Sequence, residues 1–216
     1  MRSFVCKKSI LDILNAHMTK ARRADHTDLY QLAEAQAGYF TAAQAQHAGF
    51  TREGLRANTN RSLYQNVGHG IYRLARFPAS PHEDLFIAWL RAGKHAVISH
   101  YSALTLYALS DALPAEVHVT VSRTSSRRRI GIKQHTTRLM PSDVTRWEGL
   151  PVTTVERTLI DVARAGMQEW LIAQAVAQAQ QRGLIQSSGL LKRAEVTSKR
   201  VRDIMHRALA AQETQS

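Results

Sequence analysis

Some residue types are scarce in this sequence, and each scarcity excludes a class of protein. Cys6 is the only cysteine among 216 residues, which excludes a disulfide framework or a cysteine-based zinc site and suits a reducing cytosol. No apolar run approaches the roughly 18 residues that cross a bilayer, and no signal-peptide pattern follows the basic N-terminus. We therefore expect a soluble cytoplasmic protein that has no membrane partner.

Acidic residues are also few, and the imbalance of charge is the strongest compositional feature. There are 29 Lys and Arg against 17 Asp and Glu, so the net charge is +12, and 22 of the basic residues are Arg. Residues 1–78 and 123–146 each carry +6, whereas the stretches 79–122 and 147–190 are close to neutral. Arg-rich patches on a folded body indicate a polyanionic partner, although a merely solvated basic surface is the simpler alternative.

Residues 28–78 show the element order of a winged helix-turn-helix domain. The composition of Asp28–Ala37 favours a helix, and the pair Thr41 and Gln44 forms a capping box for a short second helix. A third, polar helix is expected at about Arg52–Asn60, followed by two strands around the turn Gly68-His69-Gly70. A module of three helices and a hairpin that contacts protein is the alternative.

In a winged helix-turn-helix, the third helix enters the major groove of double-stranded DNA and the wing touches the backbone or the minor groove. The basic, polar face of the third helix therefore supplies the main candidates for base contacts, and the hairpin supplies backbone contacts. The predicted DNA-binding residues are Thr51, Arg52, Arg56, Asn58, Asn60 and Arg61 on the helix, and Tyr64, His69 and Arg73 on the hairpin.

A linker at Pro78–Pro81 separates this domain from a second one, residues 82–216, while residues 1–27 form an N-terminal extension. The second domain is predicted to be mixed α/β and to end in a helical bundle, so the whole chain is α+β. Two strands, near 116–122 and 130–135, are predicted to form a hairpin whose connection carries Arg127, Arg128 and Arg129. The pair Thr153 and Glu156 is predicted to cap a following helix.

The sequence lacks the usual patterns of catalytic and metal-binding residues. No acidic residue has Lys two positions later, as a metal-dependent nuclease requires, and no H-E-x-x-H or phosphate-binding Gly-rich loop occurs. Ser99 and His100 are neighbours, so we expect that their side chains cannot meet as nucleophile and base, and that Ser99 caps a helix. We predict no enzymatic activity, no metal and no cofactor.

Two sets of motifs, in order, resemble a known family over roughly residues 28–185. The stretch YFTAAQAQHAGFTREGLRANTNRSLYQNVGHGIYRLA resembles the N-terminal winged helix of AbiE-type antitoxins, which belong to type IV toxin–antitoxin systems. The segments ISHYSAL, VHVTVSR, RRIGIKQH and EGLPVTTVERTLIDVAR resemble the second domain of the same family. The family often has more Arg after its recognition helix, where this chain has Asn58-Thr59-Asn60.

The resemblance implies an antitoxin that binds its own promoter, represses its operon and acts in phage defence. Its partner would be a nucleotidyltransferase-like toxin, neutralised through the C-terminal domain without need of a tight complex. Two alternatives stay open, namely a winged-helix regulator with a different partner or ligand and a small enzyme that acts on nucleic acid. Arg127–Arg129 would contact DNA, toxin or RNA, and we favour DNA because successive arginines suit phosphate.

Overall fold

The computed structural model describes residues 24–110, 114–122 and 129–213, and these residues form an α+β fold. The first elements are helix α1 (His26–Glu34), strand β1 (Tyr39–Thr41), helices α2 (Ala42–His47) and α3 (Arg52–Asn60), and strands β2 (Tyr64–Gly68) and β3 (Ile71–Leu74). They are followed by α4 (Glu83–Ala92), β4 (Val97–Ile98), α5 (His100–Leu106), β5 (Val117–Val121), β6 (Ile132–Thr136), β7 (Val144–Trp147) and β8 (Leu150–Thr153). The last helices are α6 (Val155–Arg164), α7 (Glu169–Gln181), α8 (Ser187–Glu195) and α9 (Lys199–Glu213).

Side-chain caps fix where the first three helices begin. The Asp25 carboxylate accepts hydrogen bonds from the N–H groups of Thr27 and Asp28, so α1 begins two residues earlier than predicted. At α2 the capping box predicted from Thr41 and Gln44 is present in both directions. The predicted bounds of α3 are those observed.

The first three strands form an antiparallel sheet in the order β1-β3-β2. The hairpin of β2 and β3 agrees with the prediction, but β1 was not predicted, because three residues are too few to show a period. A small apolar core, which includes the fully buried Phe40 and Leu55, lies between this sheet and helices α1 to α3. The sheet and the core hold α3 and the hairpin side by side.

The second sheet has five strands in the order β6-β5-β4-β8-β7, and its pairing corrects one prediction. Strands β5 and β6 were expected to form a hairpin, but they run parallel, with Val117 opposite Ile132 and Val121 opposite Thr136. Strand alternation is the same in either direction, so the sequence pattern could not choose between them.

A second correction concerns the start of α6. Thr154, and not Thr153, occupies the cap position, and its hydroxyl accepts a hydrogen bond from the N–H of Arg157. Thr153 is instead the last residue of β8, fully buried, and its hydroxyl lies 2.7 Å from that of Thr158. Helix α6 therefore follows its strand with no loop between them.

The larger apolar core lies on the second sheet and extends among the C-terminal helices. Helix α5 packs against α6, and α9 packs against α7 and α8. Strand β1 also reaches this core, since the ring of Tyr39 stacks on Phe86 at 5.3 Å and its hydroxyl donates to Glu83 at 2.7 Å. Among the helices of residues 24–110, 114–122 and 129–213, none is long and apolar enough to cross a membrane.

Candidate functional site

The outward face of α3 carries three of the predicted DNA-binding residues. Arg52, Arg56 and Asn60 are spaced four residues apart, which places them on one side of a helix, and all three are exposed. Thr51 precedes them and its hydroxyl accepts the N–H of Gly54 at 3.0 Å, so this side chain caps the helix. Leu55, which is 1% exposed, fixes the opposite side of the helix in the core.

Two other residues of this helix are placed differently from the prediction. Asn58 was expected among the contacts, but it is only 8% exposed, because it lies three residues after Leu55 on the inward side. Arg61 is exposed at the C-terminal cap position, roughly 140° around the helix from Arg56 at 100° per residue. It therefore does not lie on the face that Arg52, Arg56 and Asn60 share.

Tyr64 was also predicted to contact DNA, and the structure places it in the core instead. Its ring is 6% exposed and makes edge contacts with Phe40 at 5.1 Å and Phe50 at 6.2 Å. Burial raises the pKa of its hydroxyl, which lies 3.4 Å from the Nδ1 atom of His26. Tyr64 thus connects β2 to α1, and its side chain is not accessible to a ligand.

The hairpin tip has the open backbone that was expected of a wing. Gly68, His69 and Gly70 all have positive φ, at 101°, 55° and 72°, and a Cβ atom added at either glycine would meet nothing within 4 Å. The His69 side chain is exposed. Arg73 lies back along β3, half-buried, and its guanidinium donates to the Phe77 carbonyl and to the Gln65 side chain.

A cleft of about 440 Å³ separates α3 from the hairpin. Residues 51–77, which form its walls and surroundings, contain five Arg and one acidic residue, or a net charge of +4. The sequence prediction did not include Asn66 and Tyr72, the two hairpin residues that line this cleft. They are recognised from the register of β2 against β3, which places them opposite each other. The polar residues that line the cleft are Arg52, Arg56, Thr59, Asn60, Asn66 and Tyr72.

The predicted basic block Arg127–Arg129 is described only in part. Arg127 and Arg128 lie outside the described residues. Arg129 is half-buried and pairs with Ile132 through an isolated antiparallel bridge, immediately before the edge strand β6. Because β5 and β6 are parallel, the hairpin that was predicted to carry this block is not formed by these two strands.

A cluster of histidines that no sequence motif indicated lies where β4, β5 and β6 meet. The rings of His100 and His135 stack at 3.5 Å between centroids, and the Nε2 atom of His135 lies 3.1 Å from Nδ1 of His118. Ser99 occupies the N-cap position of α5, as predicted, but its hydroxyl makes no capping bond and lies 3.0 Å from Nδ1 of His100. The two neighbouring side chains therefore do meet, contrary to the prediction, and His100 has the positive φ of 53°.

The surroundings of these rings keep them uncharged near neutral pH. Burial lowers the pKa of His100 to about 3, and the neighbouring His135 and His118 rings and the Arg157 and Arg164 guanidinium groups lower it too. Burial likewise lowers the pKa of His118, to about 4, and that of His135. Ser99 is fully buried, so the pair of Ser99 and His100 does not offer a nucleophile to a substrate.

Arginines of α6 and α8 lie beside this cluster. Arg157 donates to Asp161 at 2.8 Å and to Asp143 at 3.2 Å, and Arg193 also pairs with Asp143. The backbone N–H of Met140, which donates to Asp143, and these guanidinium groups hold the pKa of Asp143 below its ordinary value, in spite of burial. Within the part of the chain that the structure describes, no group of three His, Cys, Asp or Glu side chains could hold a metal ion.

Comparisons with known proteins bear on the fold and not on these sites. No family model matches the chain, and no curated protein matches it. Among solved structures, the chain is similar to the crystal structure of the RV2827C protein from Mycobacterium tuberculosis. The TM-score is 0.50 at 14% sequence identity, and the match covers 88% of this chain and 78% of that one. At this identity the likeness extends to the α+β fold alone.

Proposed function

We propose that this protein is a cytoplasmic DNA-binding antitoxin of a type IV toxin–antitoxin system that represses its own operon. Residues 26–77 would act as a winged helix-turn-helix, with α3 in the major groove of operator DNA and the β2–β3 hairpin as the wing. The second half of the chain would neutralise a nucleotidyltransferase-like toxin. The protein would act by binding and would have no enzymatic activity.

One observation carries the DNA-binding half of the proposal. Arg52, Arg56 and Asn60 lie exposed on one face of α3, next to the hairpin cleft, in a segment whose net charge is +4. Arg binds guanine through the O6 and N7 atoms, and Asn binds adenine through N6 and N7, so these side chains are suited to read base edges. Thr51 then fixes the start of the helix.

The structure changes which residues the proposal assigns to DNA. Asn58 and Tyr64 are buried and are therefore withdrawn as contacts. Asn66 and Tyr72 replace them as candidates, because they face Arg56 across the hairpin cleft. The exposed His69 at the tip is suited to a phosphate contact, which positions the protein without reading sequence.

The antitoxin half rests on the resemblance in sequence and on the way in which the resembling segments come together. ISHYSAL spans β4 and α5, VHVTVSR spans β5, RRIGIKQH spans β6, and EGLPVTTVERTLIDVAR spans β8 and α6. In the folded chain β4 lies between β5 and β8, so the described parts of all four segments form one continuous region around the histidine cluster. Such convergence supports a common role for segments that are distant in sequence.

Binding to the upstream region of the gene tests the DNA-binding half. The full chain is titrated against a duplex of that region and against a shuffled duplex of equal length and composition, at fixed salt. We expect a preference of at least about 1,000-fold for the upstream region, as specific DNA-binding proteins show. Equal affinity for the two duplexes would refute a sequence-specific repressor.

Co-expression tests the antitoxin half separately. A nucleotidyltransferase-like reading frame, which the proposal places beside this gene, is induced with the wild-type chain or with the double variant Arg52→Ala and Arg56→Ala, each supplied from an unrelated promoter. Both should protect growth equally, because the arginines of α3 serve repression only. Failure of the wild-type chain to protect would refute antitoxin activity, and failure of the variant alone would refute the division of the two roles.

A further inference from the structure

The histidine cluster borders a cleft that is lined by histidine and arginine side chains. A cleft of about 370 Å³ is lined by His100, His135, Thr136 and Arg164, and a second cleft of about 400 Å³ shares Arg164 with it. The second cleft is also lined by Arg138, Arg157 and Arg193. The two clefts together bring four arginines to one concave surface between the edge strand β6 and helix α6.

The charges of this surface do not cancel. Its two carboxylates, Asp143 and Asp161, already pair with Arg157, Arg193 and Arg164, and four arginines less two aspartates leave a charge of +2. Arg164 has a half-exposed side chain whose contact with Asp161 is as long as 3.5 Å, and Arg138 is exposed. Guanidinium groups that are only weakly engaged at the rim of a cleft can receive an anion.

The buried ion pairs also leave a donor unsatisfied. The Nη2 atom of Arg157 is buried and has no hydrogen-bond partner among the described residues. A buried donor of a charged group that has no hydrogen-bond partner is costly. The guanidinium of Arg157, in the wall of the cleft, therefore favours a negative charge in the cleft.

Hydrogen bonds hold the histidine rings in place at the edge of the cleft. Thr120 donates to the Ser99 hydroxyl at 2.8 Å, and Nδ1 of His100 lies 3.0 Å from the same hydroxyl. In the tautomer in which Ser99 donates to Nδ1, a neutral His100 carries its proton on Nε2 and can donate it to a ligand. Nε2 of His135 lies 3.1 Å from Nδ1 of His118, so one of these two nitrogens donates to the other.

We propose that this cleft is a binding site for a phosphate ester, with Arg164 and Arg138 at the phosphate oxygens and His100 as a neutral donor. Arginine forks match phosphate oxygens, and uncharged imidazole N–H groups add directional hydrogen bonds. The volume suits a single nucleotide unit, supplied either by a free mononucleotide or by a nucleic-acid chain. The site is separate from α3 and does not depend on binding of operator DNA.

Calorimetric titration of the full chain, at constant ionic strength, tests the proposal with four probes: inorganic phosphate, AMP, the dinucleotide ApA and citrate. We expect AMP or ApA to bind at least about tenfold more tightly than citrate. Preference for AMP identifies a free nucleotide as the source, and preference for ApA identifies an internal phosphodiester. Citrate binding as tight as that of both nucleotides would overturn the proposal, since the cleft would then accept any polyanion.

Two variants test whether the nucleotide binds in this cleft. Arg164→Gln removes a half-exposed charge and leaves Asp161 paired with Arg157, so the fold should persist, and affinity should fall by about tenfold or more. Lys94→Gln removes the same charge from an exposed loop and should bind as the wild type does. Equal effects of the two variants would mean bulk electrostatics and would overturn the proposal.

Ring resonances and operator binding complete the test. The nitrogen resonances of His100 and His135 should shift on addition of the tighter nucleotide, whereas those of His47 on α2 should not. Unchanged resonances at His100 and His135 would overturn the site. Arg164→Gln should keep its affinity for the operator duplex, so loss of nucleotide binding and loss of the proposed repressor function are distinguishable.

Discussion

Arg56 is the side chain whose removal tests the DNA-reading face most directly. It is exposed, lies midway between Arg52 and Asn60, and forms no ion pair with any residue of the described ranges. Replacing it with Ala should leave the free energy of unfolding nearly unchanged, because exposed substitutions of this kind stay within about 0.5 kcal/mol. Any loss of affinity therefore reports a contact with DNA.

The expected magnitude depends on what Arg56 contacts. A bidentate pair with guanine contributes about 1–3 kcal/mol of discrimination, or roughly 5- to 150-fold in the dissociation constant for the specific duplex. A phosphate contact would instead weaken specific and shuffled duplexes alike and reduce the slope of log K against log salt by about 0.9. The two cases give different patterns in one competition assay.

The assay titrates Arg56→Ala and wild-type protein against both duplexes at several salt concentrations. Lys94→Ala, which removes one charge from an exposed loop after α4, is the matched control. We expect Arg56→Ala to lose affinity for the specific duplex only, and Lys94→Ala to lose little for either. If Arg56→Ala weakens both duplexes equally, the assignment of base reading to this face is refuted.

Three further changes test the wing, the contact between the two halves and the histidine cluster. Lengthening the loop 68–70 by four residues should lower affinity for every duplex and keep specificity, and unchanged affinity would mean that the hairpin faces away from DNA. Gly149→Ala should lower the free energy of unfolding by more than about 2 kcal/mol, since φ is +94° and the new Cβ would lie 2.6 Å from the Ala35 carbonyl oxygen. The control Gly183→Ala, where φ is +65° and the new Cβ would meet nothing within 4 Å, should lower the free energy of unfolding by only about 1–2 kcal/mol, as measured by thermal denaturation. Equal losses of stability in the two variants would refute the close contact between Gly149 and Ala35. The free energy of unfolding should fall as the pH drops from 6.5 towards 4, because the unfolded chain protonates its histidines near pH 6.5 while the folded-state pKa of His100 is about 3. His100→Asn should therefore reduce the slope of the free energy of unfolding against pH by up to about 1.4 kcal/mol per pH unit.

Local signals predicted the helices of the first half well. Thr41 with Gln44, and Thr51 with the N–H of Gly54, fix helix starts within four residues, so no distant contact is needed to place α2 and α3. The errors in predicted DNA contacts arose at residues whose polar side chains were assumed to be exposed. Asn58 is polar but lies three residues from Leu55, and helical spacing alone placed it on the inward side.

Pairing of distant strands explains what the sequence could not predict. His100, His118 and His135 are 18 and 17 residues apart, and they meet because the N–H of Ser99 bonds to the His118 carbonyl and Thr120 lies opposite His135. The direction of β6 relative to β5 decides that register. A hairpin, as predicted, would have paired different residues, so the cluster depends on the one topological feature that alternation does not determine.

The ion pairs of the second half bear on how the charge of +12 is to be interpreted. Arg157, Arg164, Arg193, Arg202 and Arg207 all pair with carboxylates, so much of their charge is compensated within the fold. The arginines on the outward face of α3 have no such partners among residues 24–110, 114–122 and 129–213. Since release of counterions requires uncompensated charge at the phosphates, we expect Arg52 and Arg56 to contribute to the salt dependence of DNA binding. The paired arginines around the histidine cluster form a shaped, partly neutralised surface that is better suited to a single phosphate group than to a duplex.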